Sequence, residues 1–301
     1  MARSTTRSRL AFAGRIWLTA APATFLLLWS GGFSVAKLGL KGSEPLGFLA
    51  LRYAVVLAIL MPLFLVLRPP LPRRSGDVAH VAFVGFLIQV VYFGLCYVAF
   101  KAGASAGTVA IIVCLQPILV GLIAPHFTRE AVGPLRWVGL MLGIAGAASV
   151  ILSRSTIAAE SVFAVLCAVG ALIGISAGTL WEKRFGVSMH PIVSNLIQYA
   201  VGLAGALPLA LASETLRFHW SAEFVAALAY LVIGNSLISM TLLLAMIRRG
   251  EVSRVSSLFY LVPPVTAVIA WLLLGEAMPS LAWFGMGLAA IGVAIASRKR
   301  A

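Results

Sequence analysis

Arg52 is the residue whose type and position most suggest chemistry in this sequence. It lies within a long apolar run that begins at Pro45, about 10 Å from the start of the run if the segment is helical. A guanidinium at that depth is costly and usually faces a protein interior or water. There it could bind a carboxylate or form part of a gate. Two alternatives stay open: the side chain reaches the outer surface, or it holds carbonyl groups between helices.

Aromatic and amide side chains inside other apolar runs form a second candidate group. Buried amides and phenols need hydrogen-bond partners, which they find across helices or in a wet cavity. An apolar pocket with a few polar groups and aromatic faces suits an amphipathic ligand. Tyr97 and Trp271 share the pattern, and bonding between helices is the alternative role. We predict that a binding cavity is lined by Trp29, Arg52, Gln89, Tyr92, Gln116, Trp181, Asn195, Gln198, Tyr199, Asn235 and Tyr260.

Prolines inside the apolar runs are candidate hinges. A proline in a helix frees a carbonyl group and bends the helix. Some of these prolines are paired at a separation of 146 residues, and static kinks that only shape the bundle are the alternative role. We predict gates or helix kinks at Pro62, Pro117, Pro208, Pro263 and Pro264.

The composition requires a membrane to position these residues. Hydrophobic residues make up 61% of the 301 residues, charged residues make up 11%, and the mean hydropathy is +1.03. Such a chain cannot form an ordinary soluble surface. A spanning helix needs roughly 20 apolar residues. We predict an all-α integral membrane protein in the lipid bilayer, with transmembrane helices near residues 17–36, 45–67, 78–100, 107–126, 134–152, 160–181, 191–212, 223–247, 254–274 and 280–297.

The basic residues are distributed unevenly between the two sets of loops. The net charge of +14 would suggest nucleic acid in a soluble protein, but the loops give it a simpler explanation. Of the 23 Lys and Arg residues, 17 fall on the side of the amino terminus and one, Arg52, lies inside a span. This bias predicts cytoplasmic amino and carboxyl termini and no nucleic-acid partner. The five on the other side are Lys37, Lys41, Lys101, Arg154 and Arg217.

The sequence repeats itself at a constant offset of 146 residues. Each half contains five predicted spans, and because five is odd the halves have opposite orientations in the membrane. Inverted repeats suit transport by alternating access. We predict a basic cytoplasmic segment at 1–16 and two five-helix repeats at 17–152 and 160–297. The offset relates Lys37 to Lys183, Pro45 to Pro191, Tyr53 to Tyr199, Pro62 to Pro208, Pro117 to Pro263 and Glu130 to Glu276.

The acidic residues and histidines all fall in loops or near the ends of spans. Proton-driven transporters usually place a carboxylate or a histidine within the membrane. The pattern therefore favours uniport or substrate exchange, and Glu182 beside Trp181 is the one acid that could contradict this. The sequence has no ATP-binding motif, no cluster of metal ligands and no serine–histidine–acid set at one depth. We predict no enzymatic activity, no metal and no cofactor.

Several segments together resemble the EamA-type members of the drug/metabolite transporter superfamily. They are Leu28–Leu40 followed by Pro45 and Arg52, Tyr97–Lys101 leading to Pro117 and Glu130, and Pro263 through Gly275–Glu276 to Gly292. The resemblance covers essentially the whole chain. It implies a ten-helix bundle that exports small metabolites, often amino acids or amphipathic drugs, from bacterial inner membranes. A narrower resemblance is to the aromatic amino acid exporters of that superfamily.

These observations lead to one expected function and one alternative. We expect an inner-membrane exporter of small metabolites, with apolar or aromatic amino acids as the first candidates, working as a monomer by alternating access. The alternative is an efflux transporter for cationic or amphipathic drugs, with proton coupling as an option. A membrane enzyme acting on lipids is disfavoured because the acidic and metal-ligand clusters it would need are missing.

Overall fold

A computed structural model describes most of the chain. It covers residues 2–72, 74–116, 118–120, 123, 134–155, 161–187, 189–242, 246, 261–276 and 279–296, with side-chain environments from residue 20 onwards. Within these residues all regular structure is helical. The predicted all-α class is therefore confirmed.

The first half forms helices α1 to α5, and local signals define several of their ends. Pro45 stands in the first turn of α2, where its missing N–H costs nothing. Ser105 caps the short helix that begins at Ala106 by accepting a hydrogen bond from the N–H of Thr108. The five helices are α1 (Ala2–Gly39), α2 (Pro45–Leu67), α3 (Ser75–Lys101), α4 (Ala106–Val113) and α5 (Pro134–Ser155).

The second half forms helices α6 to α10 with similar signals. Ser221 caps α8 through the N–H of Phe224, and Gly275 ends α9 with a positive φ of 65°. That backbone conformation suits glycine at the end of a helix. The five helices are α6 (Val162–Phe185), α7 (Pro191–Ser213), α8 (Ala222–Leu242), α9 (Val262–Leu274) and α10 (Ser280–Ala296).

Five of the described helices are long and apolar enough to cross a membrane. They are α2, α3, α6 over Val162–Glu182, α7 and α8. Shorter apolar helices cover Ala106–Val120, Val262–Leu274 and Ser280–Gly292. The chain is therefore a multi-pass membrane protein. The count of ten spans remains a prediction, although a described helix overlaps each predicted run.

Two helices contain π-helical segments at equivalent positions of the two halves. In α3 the segment is Phe86–Tyr92, and in α8 it is Tyr230–Ser239. The 146-residue offset carries the first segment inside the second. π-Helical turns are rare and are frequent at functional sites. They also rotate the side chains that follow them around the helix axis, which decides which residues of α3 and α8 face the centre of the bundle.

Helices of one half pack mainly on helices of the other half. α2 packs on α7, and α5 packs on α10. The contact of α1 with α9 recurs as that of α6 with α4, and the contact of α1 with α8 recurs as that of α6 with α3. The packing thus repeats when the halves are exchanged. Neither half forms a separate compact unit, because each covers the other.

The α5–α10 contact depends on glycines that let the two backbones touch. A Cβ atom on Gly292 would lie 2.6 Å from the carbonyl oxygen of Gly139 and from the amide nitrogen of Gly143. A Cβ atom on Gly146 would lie 2.5 Å from the carbonyl oxygen of Gly285. Small residues at such positions allow close helix approach in membranes. Gly139 and Gly143, which are four residues apart on α5, are therefore part of this interface.

Candidate functional site

Arg52 lies in the interior of the bundle, on α2, with a side chain that is 1% exposed. Its Nη1 donates to the hydroxyl of Tyr97 at 3.0 Å, and its Nη2 donates to Oδ1 of Asn235 at 2.9 Å. Its Nε and Nη2 both donate to the hydroxyl of Ser236, at 3.2 and 2.9 Å. The side chain therefore does not extend to the outer surface. It joins α2 to the π-helical segment of α8 in the opposite half.

The partners of the guanidinium are neutral. Each hydrogen bond goes to a hydroxyl or an amide, and the ring of Phe93 adds a cation–π contact with its centroid 4.8 Å from Cζ. Among the described residues, every ion pair that an Asp or Glu makes is with a lysine near the ends of helices. Neutral dipoles solvate the cation but leave its charge in place. The interior of the bundle therefore has a net positive charge at this position.

A cavity adjoins this network between α1, α3 and α8. In the described conformation the space is narrow, with a cavity volume of about 20 Å³, so that a ligand larger than water requires the walls to move apart. Its walls are largely aromatic. Two of the lining residues, Tyr97 and Asn235, also accept hydrogen bonds from Arg52. The cavity is shared by both halves of the chain, because α1 and α3 belong to the first and α8 to the second. It is lined by Trp29, Gly32, Phe33, Ala36, Tyr92, Phe93, Cys96, Tyr97, Phe100 and Asn235.

The cavity wall separates Arg52 from the space itself. Tyr97, Asn235 and Phe93 line the cavity, and each also contacts the guanidinium. The positive charge lies directly behind them. An anionic group in the cavity would be attracted through this wall, since protein interiors screen charges far less than water does. Direct contact with Arg52 would require the wall residues to move.

Of the residues predicted to line a cavity, Trp29, Tyr92 and Asn235 do so. Trp29 also packs on Phe25 with its ring tilted, the ring centroids being 5.6 Å apart. Asn235 makes a second contact, from Nδ2 to the carbonyl oxygen of Leu28 at 3.4 Å, which connects α8 to α1. These residues give the cavity its aromatic wall and its amide. Their role in binding remains a prediction.

Four other predicted residues lie in the bundle without lining this cavity. Gln89 is 3% exposed, and its backbone carbonyl accepts from Tyr53 at 2.6 Å. Tyr199 packs on Tyr53 with ring centroids 5.5 Å apart. Gln198 bonds to Ser194 on its own helix at 3.2 Å, and Asn195 is half-buried on the same helix. Gln89, Tyr199 and Gln198 lie where α2, α3 and α7 meet.

Gln116 and Trp181 lie elsewhere. The amide of Gln116 donates to the hydroxyl of Thr179 at 2.7 Å, which is a bond between helices. Trp181 belongs to an aromatic cluster in which its ring centroid is 4.5 Å from those of Phe83 and Phe185. Its indole N–H is buried and has no hydrogen-bond partner within the described structure. Both residues are absent from the lining of the cavity.

The predicted proline positions differ in their local structure. α2 and α7 continue through Pro62 and Pro208. The described part of α9 begins at Val262, so Pro263 and Pro264 stand in its first turn, where proline is tolerated. Their roles as hinges stay predictions. Pro117 and Tyr260 lie outside the described residues.

Several site residues were not predicted from the sequence. The hydroxyl of Ser236 accepts hydrogen bonds from two nitrogens of Arg52. The cavity is also lined by Phe33, Phe93, Cys96 and Phe100. The sequence carried a signal for part of this set. Positions 89, 92, 93, 96, 97 and 100 follow the spacing of one helix face, which would have extended the predicted group along α3.

The comparisons with known proteins identify relatives along nearly the whole chain. The EamA-like transporter family matches residues 16–152 and again residues 162–298. The chain is 24% identical over 258 residues to "Uncharacterized transporter YvbV" of Bacillus subtilis (strain 168), covering 84% of this chain and 83% of that protein. It is 24% identical over 276 residues to "Uncharacterized inner membrane transporter YedA" of Escherichia coli (strain K12), covering 89% and 87%.

Another relative has a more specific name, and a solved structure has the same fold. "Probable amino-acid metabolite efflux pump" of Salmonella typhimurium (strain LT2) is 24% identical over 280 residues, covering 90% of this chain and 91% of that protein. A crystal structure matches with a TM-score of 0.60 and 20% identity, covering 93% of this chain and 96% of that chain. With two family matches that begin 146 residues apart, this chain is a membrane protein that belongs to the EamA-like transporter family.

Proposed function

We propose that this chain exports small metabolites, and in particular amino acids with apolar or aromatic side chains, by alternating access as a uniporter or exchanger. The observation that carries the proposal is the aromatic cavity shared by the two halves, with the charge of Arg52 directly behind its wall. Aromatic faces suit an apolar side chain, and a buried cation suits a carboxylate. An amino acid presents both groups in one small molecule.

The arrangement of the loops supports inverted repeats. The loop after α1 bonds to the loop after α7, through the N–H of His219 and the carbonyl oxygen of Gly42 at 2.8 Å. The start of α4 bonds to the end of α9 through Ala106 and Glu276. The loops after α1 and α3 in the first half thus lie at the same end of the bundle as the loops after α7 and α9 in the second half. This is expected if the halves, at about 17–152 and 160–297, have opposite orientations, which is the geometry that alternating access uses.

The electrostatics of the cavity favour carboxylates over cations. A cationic drug would approach an uncompensated positive charge without an acidic side chain to offset it, within the part of the chain that the structure describes. A zwitterionic amino acid can orient its carboxylate towards the wall formed by Tyr97 and Asn235. The name of the Salmonella relative is consistent with this substrate class. This substrate class is also that of the aromatic amino acid exporters of the drug/metabolite transporter superfamily, which the sequence resembles.

The proposal also covers the membrane, the orientation of the termini, the oligomeric state and the driving force. We place the protein in a bacterial inner membrane with both termini in the cytoplasm, because the basic residues lie on that side. A monomer contains both halves and the whole cavity, so no second copy is needed to complete it. The substrate gradient would set the direction of transport, because the acidic residues fall in loops or near the ends of the spans.

Counterflow in proteoliposomes tests the proposal. Vesicles are loaded with unlabelled amino acid, and the entry of labelled phenylalanine, tryptophan, threonine or methionine is measured with and without a pH gradient. We expect phenylalanine and tryptophan to enter fastest, independently of the gradient. A quaternary ammonium compound is measured in parallel. Entry of that cation without any amino acid counterflow would favour the drug-efflux alternative, and gradient-driven entry would contradict uniport and exchange.

A matched pair of variants connects the counterflow to the cavity. Asn235→Leu changes the cavity wall and a partner of Arg52, whereas Thr179→Val changes an interhelical bond away from the cavity. We expect the first variant to lose most of the counterflow and the second to keep it. Equal effects of the two variants would show that the cavity has no special role.

A further inference from the structure

One end of the bundle is held together by polar contacts between the two halves. We call it the Lys37 end, and it comprises residues 37–47, 101–106, 214–223 and 275–276. Both carboxylate oxygens of Glu214 accept backbone N–H groups at the start of α2, from Leu46 at 2.9 Å and from Gly47 at 2.7 Å. All three ion pairs of the described residues also lie here.

The pair formed by Lys37 and Glu276 differs from the other two. Its Nζ–Oε1 distance is 2.6 Å, and the side chains are 26% and 13% exposed. The Lys41–Glu223 pair at 3.4 Å is 63% and 49% exposed, and the third pair, Lys101 with Glu44 at 3.6 Å, is 44% and 43% exposed. Exposed pairs contribute little because water and salt screen them. The Lys37–Glu276 pair is therefore the one expected to influence which conformation the chain adopts.

Each member of this pair makes a second contact that connects it to α4. Nζ of Lys37 donates to the carbonyl oxygen of Ala104 at 2.8 Å. Oε2 of Glu276 accepts from the N–H of Ala106 at 3.2 Å, which caps the start of the helix with a negative charge. Three elements thus meet at one point: the end of α1, the start of α4 and the end of α9. The first two belong to the first half, and the last belongs to the second.

The pair is next to the cavity lining along the chain. Lys37 follows Ala36, which lines the cavity on α1, and α3 brings Phe100 to the same end just before the loop that contains Ala104. Separation of the two halves at the Lys37 end would part α9 from α1 and α4. Those helices cannot separate while Lys37, Glu276 and Ala106 remain bonded.

We propose that the Lys37–Glu276 pair is the closure of the Lys37 end, formed when the cavity is shut on that side and broken when the halves separate there. The inference rests on the alternating access of the proposed function. The 146-residue offset relates Lys37 to Lys183 and Glu276 to Glu130, so the sequence keeps both residue types in each half. Glu130 and the side chain of Lys183 lie outside the described part of the chain.

The native thiol of Cys96 gives a readout that does not depend on knowing the substrate. Cys96 lines the cavity and is 2% exposed, so a membrane-impermeant maleimide added on the Lys37 side reaches it only when that end opens. Cys114 and Cys167 are replaced by serine so that one thiol remains. The labelling rate of Cys96 then reports the fraction of molecules that are open at the Lys37 end.

We expect Glu276→Gln and Lys37→Met each to raise the labelling rate about tenfold, because each removes a charge-assisted bond from the closed state. The matched control is Glu223→Gln, which removes the exposed pair with Lys41 and should leave the rate unchanged. An unchanged or lower rate in the Glu276 and Lys37 variants would overturn the proposal. So would an equal rise in the control, since it would indicate general loosening.

A cross-linked variant guards against loss of folding in the single variants. Lys37→Cys and Glu276→Cys are combined in a chain whose three native cysteines are serine. A short bis-methanethiosulfonate reagent joins the two thiols through two reducible disulfides, releasing one methanesulfinate at each. We expect counterflow to stop on cross-linking and to return on reduction. Counterflow that continues in the cross-linked protein would refute the closure. If no substrate shows counterflow at all, the proposed function fails, while the labelling of Cys96 still decides the closure.

Discussion

Arg52 and Asn235 are joined by a 2.9 Å hydrogen bond that connects the two halves of the chain through the centre of the bundle. The repeat relates Arg52 to Gln198 and Asn235 to Gln89, but those two equivalents form no such bond. Gln198 bonds to Ser194 on its own helix instead. The centre of the bundle is therefore asymmetric in charge and in bonding. In an inverted-repeat transporter, that asymmetry would make the two access states unequal in energy.

The first prediction separates the charge of Arg52 from its bonding. Arg52→Ala should lower the free energy of unfolding by about 3 kcal/mol, because buried partners lose their donors. Arg52→Gln keeps one amide donor and should cost less stability, while counterflow of amino acids should still fall about tenfold through loss of the charge. Thermal unfolding in detergent and counterflow are measured on both variants. Full counterflow in Arg52→Gln would show that the charge is not used.

The second prediction concerns the phenols of α3. Tyr97→Phe removes an acceptor from Arg52 at 3.0 Å and should reduce stability by about 1–3 kcal/mol. Tyr92→Phe keeps its ring on the cavity wall, and no contact of its hydroxyl with Arg52 is described. We expect little change in its thermal unfolding. If the two variants unfold at the same temperature, the hydroxyl of Tyr97 does not stabilise the guanidinium.

The third prediction compares two tryptophans. Trp29 lines the cavity, whereas Trp271 on α9 is 59% exposed on the outer surface of the bundle. Trp29→Leu should raise the KM for aromatic substrates about tenfold, because stacking and apolar contact are lost. Trp271→Leu should leave the KM unchanged. Concentration-dependent uptake measures both values, and a larger effect of Trp271→Leu would place the binding site elsewhere.

The fourth prediction tests the close contact of α5 with α10. Gly292→Ala would place a methyl group 2.6 Å from backbone atoms of Gly139 and Gly143, which cannot move aside as a flexible side chain would. We expect a loss of about 1–3 kcal/mol in stability. Gly287→Ala is the control on the same helix, since its Cβ would meet nothing within 4 Å. Equal melting temperatures of the two variants would contradict the described contact.

The fifth prediction concerns the bond between Gln116 and Thr179. The hydroxyl of Thr179 accepts from this amide at 2.7 Å and donates to the carbonyl oxygen of Ile175 at 2.8 Å. Thr179→Val should cost about 0.6 kcal/mol of stability, the typical value for polar bonds between membrane helices. Counterflow should be retained because neither residue lines the cavity. A strong loss of counterflow would return Gln116 to the set of binding residues.

Sequence reasoning was most successful where the bilayer constrains the chain. Pro45 and Pro191 mark helix starts that the structure places at those residues. The family was recognised from motifs such as Leu28–Leu40, and the family matches support it. Long apolar helices must form because lipid offers no hydrogen-bond partners to an open backbone. Such constraints act along the chain and can be read from it.

The binding site was only partly predictable, for a different reason. Trp29, Tyr92 and Asn235 were predicted and line the cavity, whereas Phe93 and Phe100 line it and were not predicted. A phenylalanine within an apolar span carries no signal that separates cavity lining from packing or lipid contact. Gln116 and Trp181 had the right chemistry but face other neighbours. The π-helical segments turn the side chains of α3 and α8 by an amount that hydropathy does not encode.

The sequence by itself determined that this is a helical, duplicated membrane protein of the EamA type with one basic residue inside a span, because hydropathy, the 146-residue offset and Arg52 are properties of the order of residues. The tertiary structure alone decided that Arg52 lies behind the wall formed by Tyr97 and Asn235, and that Lys37 meets Glu276. Those contacts join residues far apart in the chain. They depend on how the two halves interlock, which side-chain packing between helices sets and linear spacing does not.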